Sequence, residues 1–416
     1  MTMPHIGRRT VLTGALALGA GQAFAAATPI RFGCSLPQSG GLAAIGKAVL
    51  LTFQIWIEET NAKGGLLGRP VELVTYDDQS NPANVPRIYT KLLDVDKVDI
   101  ILTNGTNLSV PALPIAMERG KMVMTMFSLG INDKFHYDKF FQTMPYGPDG
   151  KAAISEGFFV AAMALSPKPT TVALVGADAE FSKTAVEGAR EQAKKYGLKI
   201  VYDRTYPPTS VDFTPIIRGI ASSNPDLVYV GSYPIDSAGL VRAAHELNFH
   251  PRMFGGGMVG TQATSLKAEL GELLNGVISY ELYCPAAAKF FPQVEGLLAR
   301  YRPRAVAAGV DPQGYYQPPF TYCSLEVLGQ AITATGGLDQ DKLARFIHAT
   351  TFKTIVGDIT FGADGEWKSP RMLTVQFRGL KGNGADQFNN PGSEVILHPP
   401  EYATGTVETP LGGGKL

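Results

Sequence analysis

Short apolar runs alternate with longer amphipathic segments along most of this chain, and the alternation begins twice. The apolar runs carry few charges, which is typical of strands that are buried on both faces of a parallel sheet. Regular alternation of strands and helices favours helices packed on both faces of such sheets. Two successive series therefore predict an α/β protein with two doubly wound lobes.

The first series predicts strands over 30–36, 71–76, 99–103 and 122–127, with helices over 42–62 and 81–93. The second predicts strands over 171–176, 199–205 and 227–231 and one from 252, with helices over 151–165, 182–196 and 213–223 and one ending at 247. The last third mixes helices near 290–308, 315–334 and 339–349 with strands over 276–282, 372–377 and 394–397. We expect this third to pass between the lobes through a multi-strand hinge. Lobe 1 would comprise 26–146 plus 281–367, lobe 2 would comprise 147–280 plus 368–402, and 403–416 would be a flexible tail.

Size and charge narrow the classes of partner. A chain of 416 residues suits two domains, and 45% hydrophobic with 18% charged residues suits two apolar cores. The 37 basic and 37 acidic residues cancel, so nothing indicates a nucleic acid or an anionic membrane as partner. We expect a monomer.

The N-terminus has the features of an export signal. Arg8 and Arg9 precede an apolar run, and Ala23-Phe24-Ala25 fits a small-x-small cleavage site. We expect residues 1–25 to be removed, by either the Sec or the twin-arginine route, and the mature protein to be soluble in the periplasm. The apolar run is shorter than the ~20 residues that a membrane span requires.

Three cysteines, Cys34, Cys284 and Cys323, leave at least one thiol unpaired. We interpret them as small buried hydrophobic residues rather than as a disulfide framework.

Two segments resemble nucleotide-binding loops. Residues 41–47 fit GxxxxGK, but Ala48 follows where a P-loop requires Ser or Thr for Mg²⁺. Residues 255–260 fit GxGxxG but come too late in the chain for a first βα turn. We interpret the first as a loop that opens a helix, and the second as a glycine-rich loop near a ligand or the partner lobe.

Catalytic and metal signatures are missing from the sequence. It contains no HExxH, CxxC or GxSxG motif, and Asp77-Asp78 is interpreted as a solvated pair at a strand end. We therefore predict no enzyme activity, no catalytic residues, no metal site and no cofactor, although catalytic triads need not be local in sequence.

Several of these segments resemble the leucine/isoleucine/valine-binding family of periplasmic solute-binding proteins. The similarity is carried by Ser39-Gly40, by residues 61–68 (NAKGGLLG), by Tyr76-Asp77-Asp78 and by residues 226–231 (DLVYVG). It covers nearly all of the expected mature chain. It implies the type I periplasmic-binding-protein architecture, in which two lobes close around a small molecule, and a closed form that is recognised by an inner-membrane ABC permease.

The resemblance also implies ligand-binding positions. In lobe 1, loop hydroxyl and amide groups would bind a carboxylate, and apolar residues would lie at the mouth of the cleft and where the chain crosses between the lobes. The lobe 2 positions would cover the ligand. The lobe 1 set is Ser39, Ile45, Thr106, Asn107, Phe127, Ser128 and Tyr146, and the lobe 2 set is Phe181, Tyr233, Gly257 and Met258.

Two departures from the family pattern bear on the ligand. Gly257 and Gly147 stand where amino-acid binders carry acidic residues that hold the ligand's ammonium group. A buried ammonium without a partner would be costly. The sequence therefore favours an organic acid with an aromatic body. A short keto acid or amide, a branched-chain amino acid, and a sensing rather than a transport role remain alternatives.

Overall fold

The first sheet is built from the apolar runs that begin the chain. In this computed structural model, which describes residues 28–412, its parallel strands lie in the order β2-β1-β3-β4-β5. The predicted signal segment lies outside the described residues. The strands are β1 (Ile30–Leu36), β2 (Val71–Asp77), β3 (Ile100–Thr103), β4 (Val123–Thr125) and β5 (Phe140–Gln142).

The second sheet has seven strands in the order β14-β13-β10-β9-β8-β6-β7. Strands β6 to β10 are parallel, whereas β13 pairs antiparallel with β10, and the edge strand β14 pairs antiparallel with β13. They are β6 (Thr171–Ala177), β7 (Lys199–Tyr206), β8 (Leu227–Ser232), β9 (Met253–Met258), β10 (Val277–Glu281), β13 (Leu373–Phe377) and β14 (Glu394–His398). A separate hairpin pairs β11 (Thr351–Thr354) with β12 (Gly357–Thr360).

Helices connect the strands and cover the sheets. The longer ones are α1 (Ala43–Ala62), α2 (Val85–Asp94), α6 (Gly150–Met163), α7 (Glu180–Lys195), α8 (Thr214–Ser222), α9 (Pro234–Glu246), α11 (Pro292–Ala308), α12 (Pro318–Thr335) and α13 (Gln340–Ala349). The shorter ones are α3 (Thr106–Ser109), α4 (Leu113–Glu118), α5 (Asn132–Phe135) and α10 (Thr264–Leu270). Parallel sheets whose strands are joined by helices confirm the predicted two-lobed α/β fold.

The chain crosses between the two sheets three times. It passes from β5 to α6, from β10 to α11, and from β12 to β13. Helices α11 and α12 pack against α1 on the side of the first sheet. Two of the crossing segments also contact each other, because Arg371 donates its backbone N–H to Pro145 O at 2.8 Å. These crossings bring the carboxyl ends of both sets of strands to one cleft.

The end of the chain differs from the flexible tail predicted over 403–416. Leu411 is buried, and its N–H donates to Pro251 O at 3.0 Å. Gln376 Nε2 donates to Glu408 O at 2.7 Å. Residues 403–412 therefore pack along the second sheet. The prediction rested on the Gly- and Thr-rich composition and did not take into account the burial of Leu411. Residues 413–416 lie outside the described part.

Both nucleotide-like segments have structural explanations. In the first, α1 begins at Ala43, as predicted for a loop that opens a helix. A Cβ at Gly46 would lie 2.0 Å from Pro37 O, so this glycine allows α1 to approach the loop after β1. The second segment was predicted to be a loop and is the buried strand β9. Gly256 adopts φ +120°, and a Cβ there would meet the Tyr229 ring at 2.4 Å. Its glycines therefore serve packing within the sheet.

The cysteines and the Asp77-Asp78 pair were also interpreted from the sequence. The three cysteines are buried and unpaired, as interpreted from their number. Asp77 and Asp78 differ from the predicted solvated pair, because only Asp77 is exposed, and the buried Asp78 accepts a hydrogen bond from Ser35 Oγ at 2.8 Å. No helix within residues 28–412 is long and apolar enough to cross a membrane.

Candidate functional site

A cavity lies in the cleft where the carboxyl ends of strands from both sheets face each other. It contains about 430 Å³ of atom-free space, part of which is open solvent. Crevices at the carboxyl ends of strands are where open α/β sheets bind ligands. The lining residues are Pro37, Leu42, Ile45, Asn104, Gly105, Thr106, Asn107, Leu108, Phe127, Phe181, Tyr233, Val259, Tyr316 and Gln317.

Strand ends and helix starts position these side chains. In the first sheet, the residues after β3 turn at Gly105, whose φ is +86° and whose N–H donates to Phe127 O at 2.7 Å. This bond ties the loop after β3 to the loop after β4. In the second sheet, Phe181 lies in the first turn of α7, and Tyr233 precedes α9. The two lobes therefore present loops and helix starts to the same space.

Aromatic rings form the apolar wall. The Phe127 ring is central, with its centroid 5.8 Å from that of Phe181, 5.7 Å from Tyr316 and 5.9 Å from Tyr146. Phe181 in turn lies 6.1 Å from Tyr233. These separations are within the range of favourable aromatic pairs. A flat apolar group in the cavity would meet ring faces and edges from both lobes.

The polar groups that reach the cavity are neutral. Thr106 Oγ1 accepts the Leu129 N–H at 2.9 Å, which leaves the hydroxyl proton free to donate. Asn104 Oδ1 and Gln317 Oε1 are buried, and neither oxygen has a hydrogen-bond partner within the described residues. Buried acceptors of this kind are uncommon, because leaving one unpaired costs free energy. Both oxygens are therefore available to accept hydrogen bonds from a molecule in the cavity.

One hydrogen-bonded group joins the lobes across the cleft. Asn107 Oδ1 accepts the Tyr233 O–H at 2.7 Å and the Phe181 N–H at 3.2 Å. We call these two bonds, both made by Asn107, the cross-lobe latch. Because Asn107 belongs to the first lobe and its donors to the second, the latch exists only when the lobes are closed.

The electrostatics of the cavity follow from its neutral lining. Among residues 28–412, no Asp, Glu, Lys, Arg or His lines it. Burial raises the pKa of Tyr233 and of Tyr316, so both phenols remain protonated at neutral pH. Asp149, the acid nearest in sequence to Gly147, caps α6 through its Oδ1, which accepts the Ala152 N–H at 2.9 Å. No carboxylate in the described lining could pair with a ligand ammonium group.

Six of the predicted ligand-binding residues line the cavity, and five do not. Those in the wall are Ile45, Thr106, Asn107, Phe127, Phe181 and Tyr233. Tyr146 is buried behind Phe127 and does not line the cavity.

Ser39 and Ser128 are outside the cavity because other groups hold them. Ser39 is exposed, and its Oγ donates to Asp77 Oδ2 at 2.6 Å. Ser128 is buried, with its Oγ 2.8 Å from Thr125 Oγ1 and its N–H donating to Gln142 Oε1 at 2.6 Å. The hydroxyl and the N–H that were expected to bind a carboxylate at Ser128 therefore bond to protein groups.

Gly257 and Met258 belong to β9 rather than to a cavity loop. Met258 is fully buried in the core of the second sheet, and a Cβ at Gly257 would meet Ala185 and the Tyr229 hydroxyl. The next residue, Val259, lines the cavity instead. The prediction placed the strand end too early, because the glycine-rich run reads as a loop.

Other lining residues were missed by sequence reasoning. Asn104 directly follows β3, so the rule that ligands sit beyond strand ends could have identified it. Tyr316 and Gln317 come from the connection before α12, where no local signal points to the cleft. Among residues 28–412, no three His, Cys, Asp or Glu side chains are grouped to hold a metal ion.

Comparisons with known proteins agree with this architecture. The family of periplasmic binding proteins matches residues 29–382. A leucine-, isoleucine-, valine-, threonine- and alanine-binding protein of Pseudomonas aeruginosa is 24% identical over 346 residues, covering 83% of this chain and 88% of that protein.

Two solved structures have the same fold. A leucine binding protein from Thermotoga maritima gives a TM-score of 0.72 at 22% identity, covering 86% of this chain and 99% of that one. An ABC transporter solute binding protein from R. palustris in complex with benzoate gives 0.73 at 18% identity, covering 89% and 96%.

Proposed function

The chain belongs to the periplasmic binding protein family, and on that premise we propose that it is the receptor of an ABC importer for a small organic acid. The acid would have an aromatic body and would be held between the two closing lobes. We further propose a periplasmic location after removal of the signal segment, and release of the ligand unchanged to the permease.

The observation that carries this proposal is a cavity walled by aromatic rings and neutral polar groups, with no charged side chain from the described part of the chain. An aromatic body would pack against the ring cluster that Phe127 forms with Phe181 and Tyr316. Its carboxylate could accept the Thr106 hydroxyl and the first-turn N–H groups of Thr106 and Asn107, which have no acceptor within their short helix. The benzoate complex of the relative described above supports the same ligand class.

The cavity argues against amino acids as the preferred ligand. An α-ammonium group placed among Phe127, Phe181 and Tyr316 would lose its hydration without gaining a carboxylate partner. Burying an unpaired ion in this way costs on the order of several kcal/mol. Leucine should therefore bind much more weakly than an aromatic acid. This contrast separates the proposal from the branched-chain amino acids bound by other relatives.

A second candidate is favoured by the amides in the wall. Asn104, Asn107 and Gln317 offer both donors and acceptors, which also suit a short amide or keto acid. Such a ligand would leave much of the aromatic wall uncovered, so we rank it below an aromatic acid.

A thermal-shift and calorimetric comparison tests the proposal. Wild-type protein is titrated with benzoate, 3-phenylpropanoate, 4-methyl-2-oxopentanoate, isobutyramide and leucine. We expect the aromatic acids to bind most tightly and leucine least. Micromolar or tighter leucine binding, or failure of every acid and amide to raise the melting temperature, would contradict the proposal.

Uptake of the bound acid by cells with and without the gene separates transport from sensing. An importer predicts that uptake is lost in the deletion strain and returns on complementation. Uptake that persists in the deletion strain would favour the sensing role.

A further inference from the structure

A side chamber adjoins the cavity at Tyr316 and Gln317. Ile45, Tyr316 and Gln317 line both spaces, and the chamber adds Gln262 and the Ala44 and Ala48 positions of α1. It contains about 300 Å³ of atom-free space, part of it open to solvent. A ligand in the cavity could therefore extend a substituent past Tyr316 into the chamber.

Gln262 offers this chamber a fixed acceptor. Its Nε2 donates to Tyr280 O at 2.6 Å and lies 3.1 Å from Ser279 Oγ, whereas its Oε1 is buried with no hydrogen-bond partner. Exchanging the two amide atoms would bring Oε1 against the Tyr280 carbonyl oxygen, which is repulsive. The atom left unpaired at Gln262 is thus an oxygen, and it requires a donor.

Gln317 provides a second unpaired oxygen from the other lobe. Its Oε1 is also buried without a partner, and the side chain is only 3% exposed. Gln262 follows β9 of the second sheet, whereas Gln317 precedes α12, which packs on α1 beside the first sheet. A donor between them would contact both lobes and would favour the closed form.

The charge of the chamber disfavours an anionic substituent. Its one acidic lining residue within residues 28–412, Asp311, accepts bonds from Thr264 Oγ1 at 2.7 Å, from the Thr264 N–H at 2.9 Å and from the Gln313 N–H at 3.0 Å. An anionic substituent would face this carboxylate and two unpaired oxygens, and an ammonium group would have to share Asp311 with those donors. A neutral donor satisfies the unpaired acceptors without either cost.

We propose that the side chamber is a specificity subsite for a hydroxyl group at the far end of the ligand, with Gln262 and Gln317 as its acceptors. The inference rests on the proposed function and narrows its substrate class to hydroxylated acids, foremost phenolic ones. An acid without the hydroxyl would leave both acceptors unpaired and should bind more weakly.

Matched pairs of ligands test this subsite by calorimetry. The pairs are benzoate with 3- and 4-hydroxybenzoate, and 3-phenylpropanoate with 3-(4-hydroxyphenyl)propanoate, which reaches further. We expect the hydroxyl to improve affinity about tenfold in at least one pair, as for one well-placed buried hydrogen bond.

The preference should depend on the two glutamines. Gln262→Met and Gln317→Met should reduce it to near unity, whereas Gln313→Met should retain it. Gln313 is a buried glutamine that lies outside both spaces, and its Nε2 donates to Ala385 O at 2.8 Å. If Gln262→Met fails to fold, Gln317→Met still decides, because its side-chain oxygen has no protein partner to lose.

The possible results tell failure of the subsite apart from failure of the proposed function. If the parent acids bind but no hydroxyl improves affinity more than about twofold, the subsite is refuted and the receptor function stands. If the preference survives in both Gln262→Met and Gln317→Met, the subsite is likewise refuted. If neither parent nor hydroxylated acids bind to wild-type protein, the proposed function fails and the subsite fails with it.

Discussion

Removing the cross-lobe latch should weaken ligand binding by an amount that the structure allows us to estimate. Asn107→Ala deletes the oxygen that accepts both the Tyr233 O–H and the Phe181 N–H. Each such bond contributes a net ~0.5–1.5 kcal/mol, so the closed form should lose about 1–3 kcal/mol relative to the open form. Tyr233→Phe deletes one bond and should cost about half as much.

These free energies translate into affinity because only the closed form encloses the ligand. When the open form predominates without ligand, apparent Kd rises by the full factor, roughly 5- to 150-fold for Asn107→Ala and about 2- to 10-fold for Tyr233→Phe. The loss should appear mainly as faster dissociation, since the latch forms after the ligand has entered.

Stopped-flow kinetics and calorimetry with the tightest-binding acid measure both quantities. Tyr202→Phe, on β7 away from the cleft, is the matched control and should behave like wild type. If both latch variants bound the acid within twofold of the wild-type affinity, the reasoning about closure would be refuted. A loss in Asn107→Ala without any loss in Tyr233→Phe would show instead that Asn107 acts through direct contact with the ligand.

Three further predictions concern the site and the scaffold. Thr106→Ala should weaken a carboxylate ligand by about 1–3 kcal/mol in calorimetry through loss of a buried hydroxyl donor, and Thr106→Ser should restore most of it. Lys267→Met should destabilise the fold by ~3–5 kcal/mol in urea denaturation, because Glu281 and Glu394 would be left buried without their cation. Burial raises the pKa of Asp236 to about 6, so the folded state binds the extra proton between about pH 4 and 6, and this stabilisation is lost as pH rises through 6. Asp236→Asn removes this titration, so the stability of the variant relative to wild type should rise by on the order of 3 kcal/mol as pH is raised from 4 to 7.5. A difference that is flat with pH would contradict this.

The fold was largely predictable because apolar periodicity reflects burial in each sheet. Strand β1 and helix α1 follow directly from the local spacing of apolar residues. The antiparallel pairing of β13 with β10 does not, because strand order depends on contacts between residues that are distant in sequence. Helix α2 illustrates a boundary error. The predicted start at Asn81 is a capped 3-10 turn, in which Asn81 Oδ1 accepts the Ala83 N–H, and the α-helix begins at Val85.

The site was predictable only where strand ends are clear in the sequence. Thr106 and Asn107 follow a short apolar strand, so their place at its carboxyl end could be inferred. Gly257 was misplaced, because glycine permits either a loop or, as here, a strand in close contact with the Tyr229 ring. Gln317 enters the cavity from a connection more than 200 residues along the chain from Asn107, and no local pattern encodes that distance.

The neutral cavity and the cross-lobe latch together explain how an acid held without an ion pair could control closure. Because no charged side chain of residues 28–412 lines the cavity, the ligand contributes apolar burial and hydrogen bonds from neutral protein donors. The bonds of Asn107 and the contact between Phe127 and Phe181 stabilise the closed form whether or not a ligand is present. The ligand must then supply only the remaining difference in free energy between the two forms. It follows that strengthening the latch should raise affinity for every acid alike, whereas selectivity among acids should depend on the groups that the latch does not satisfy.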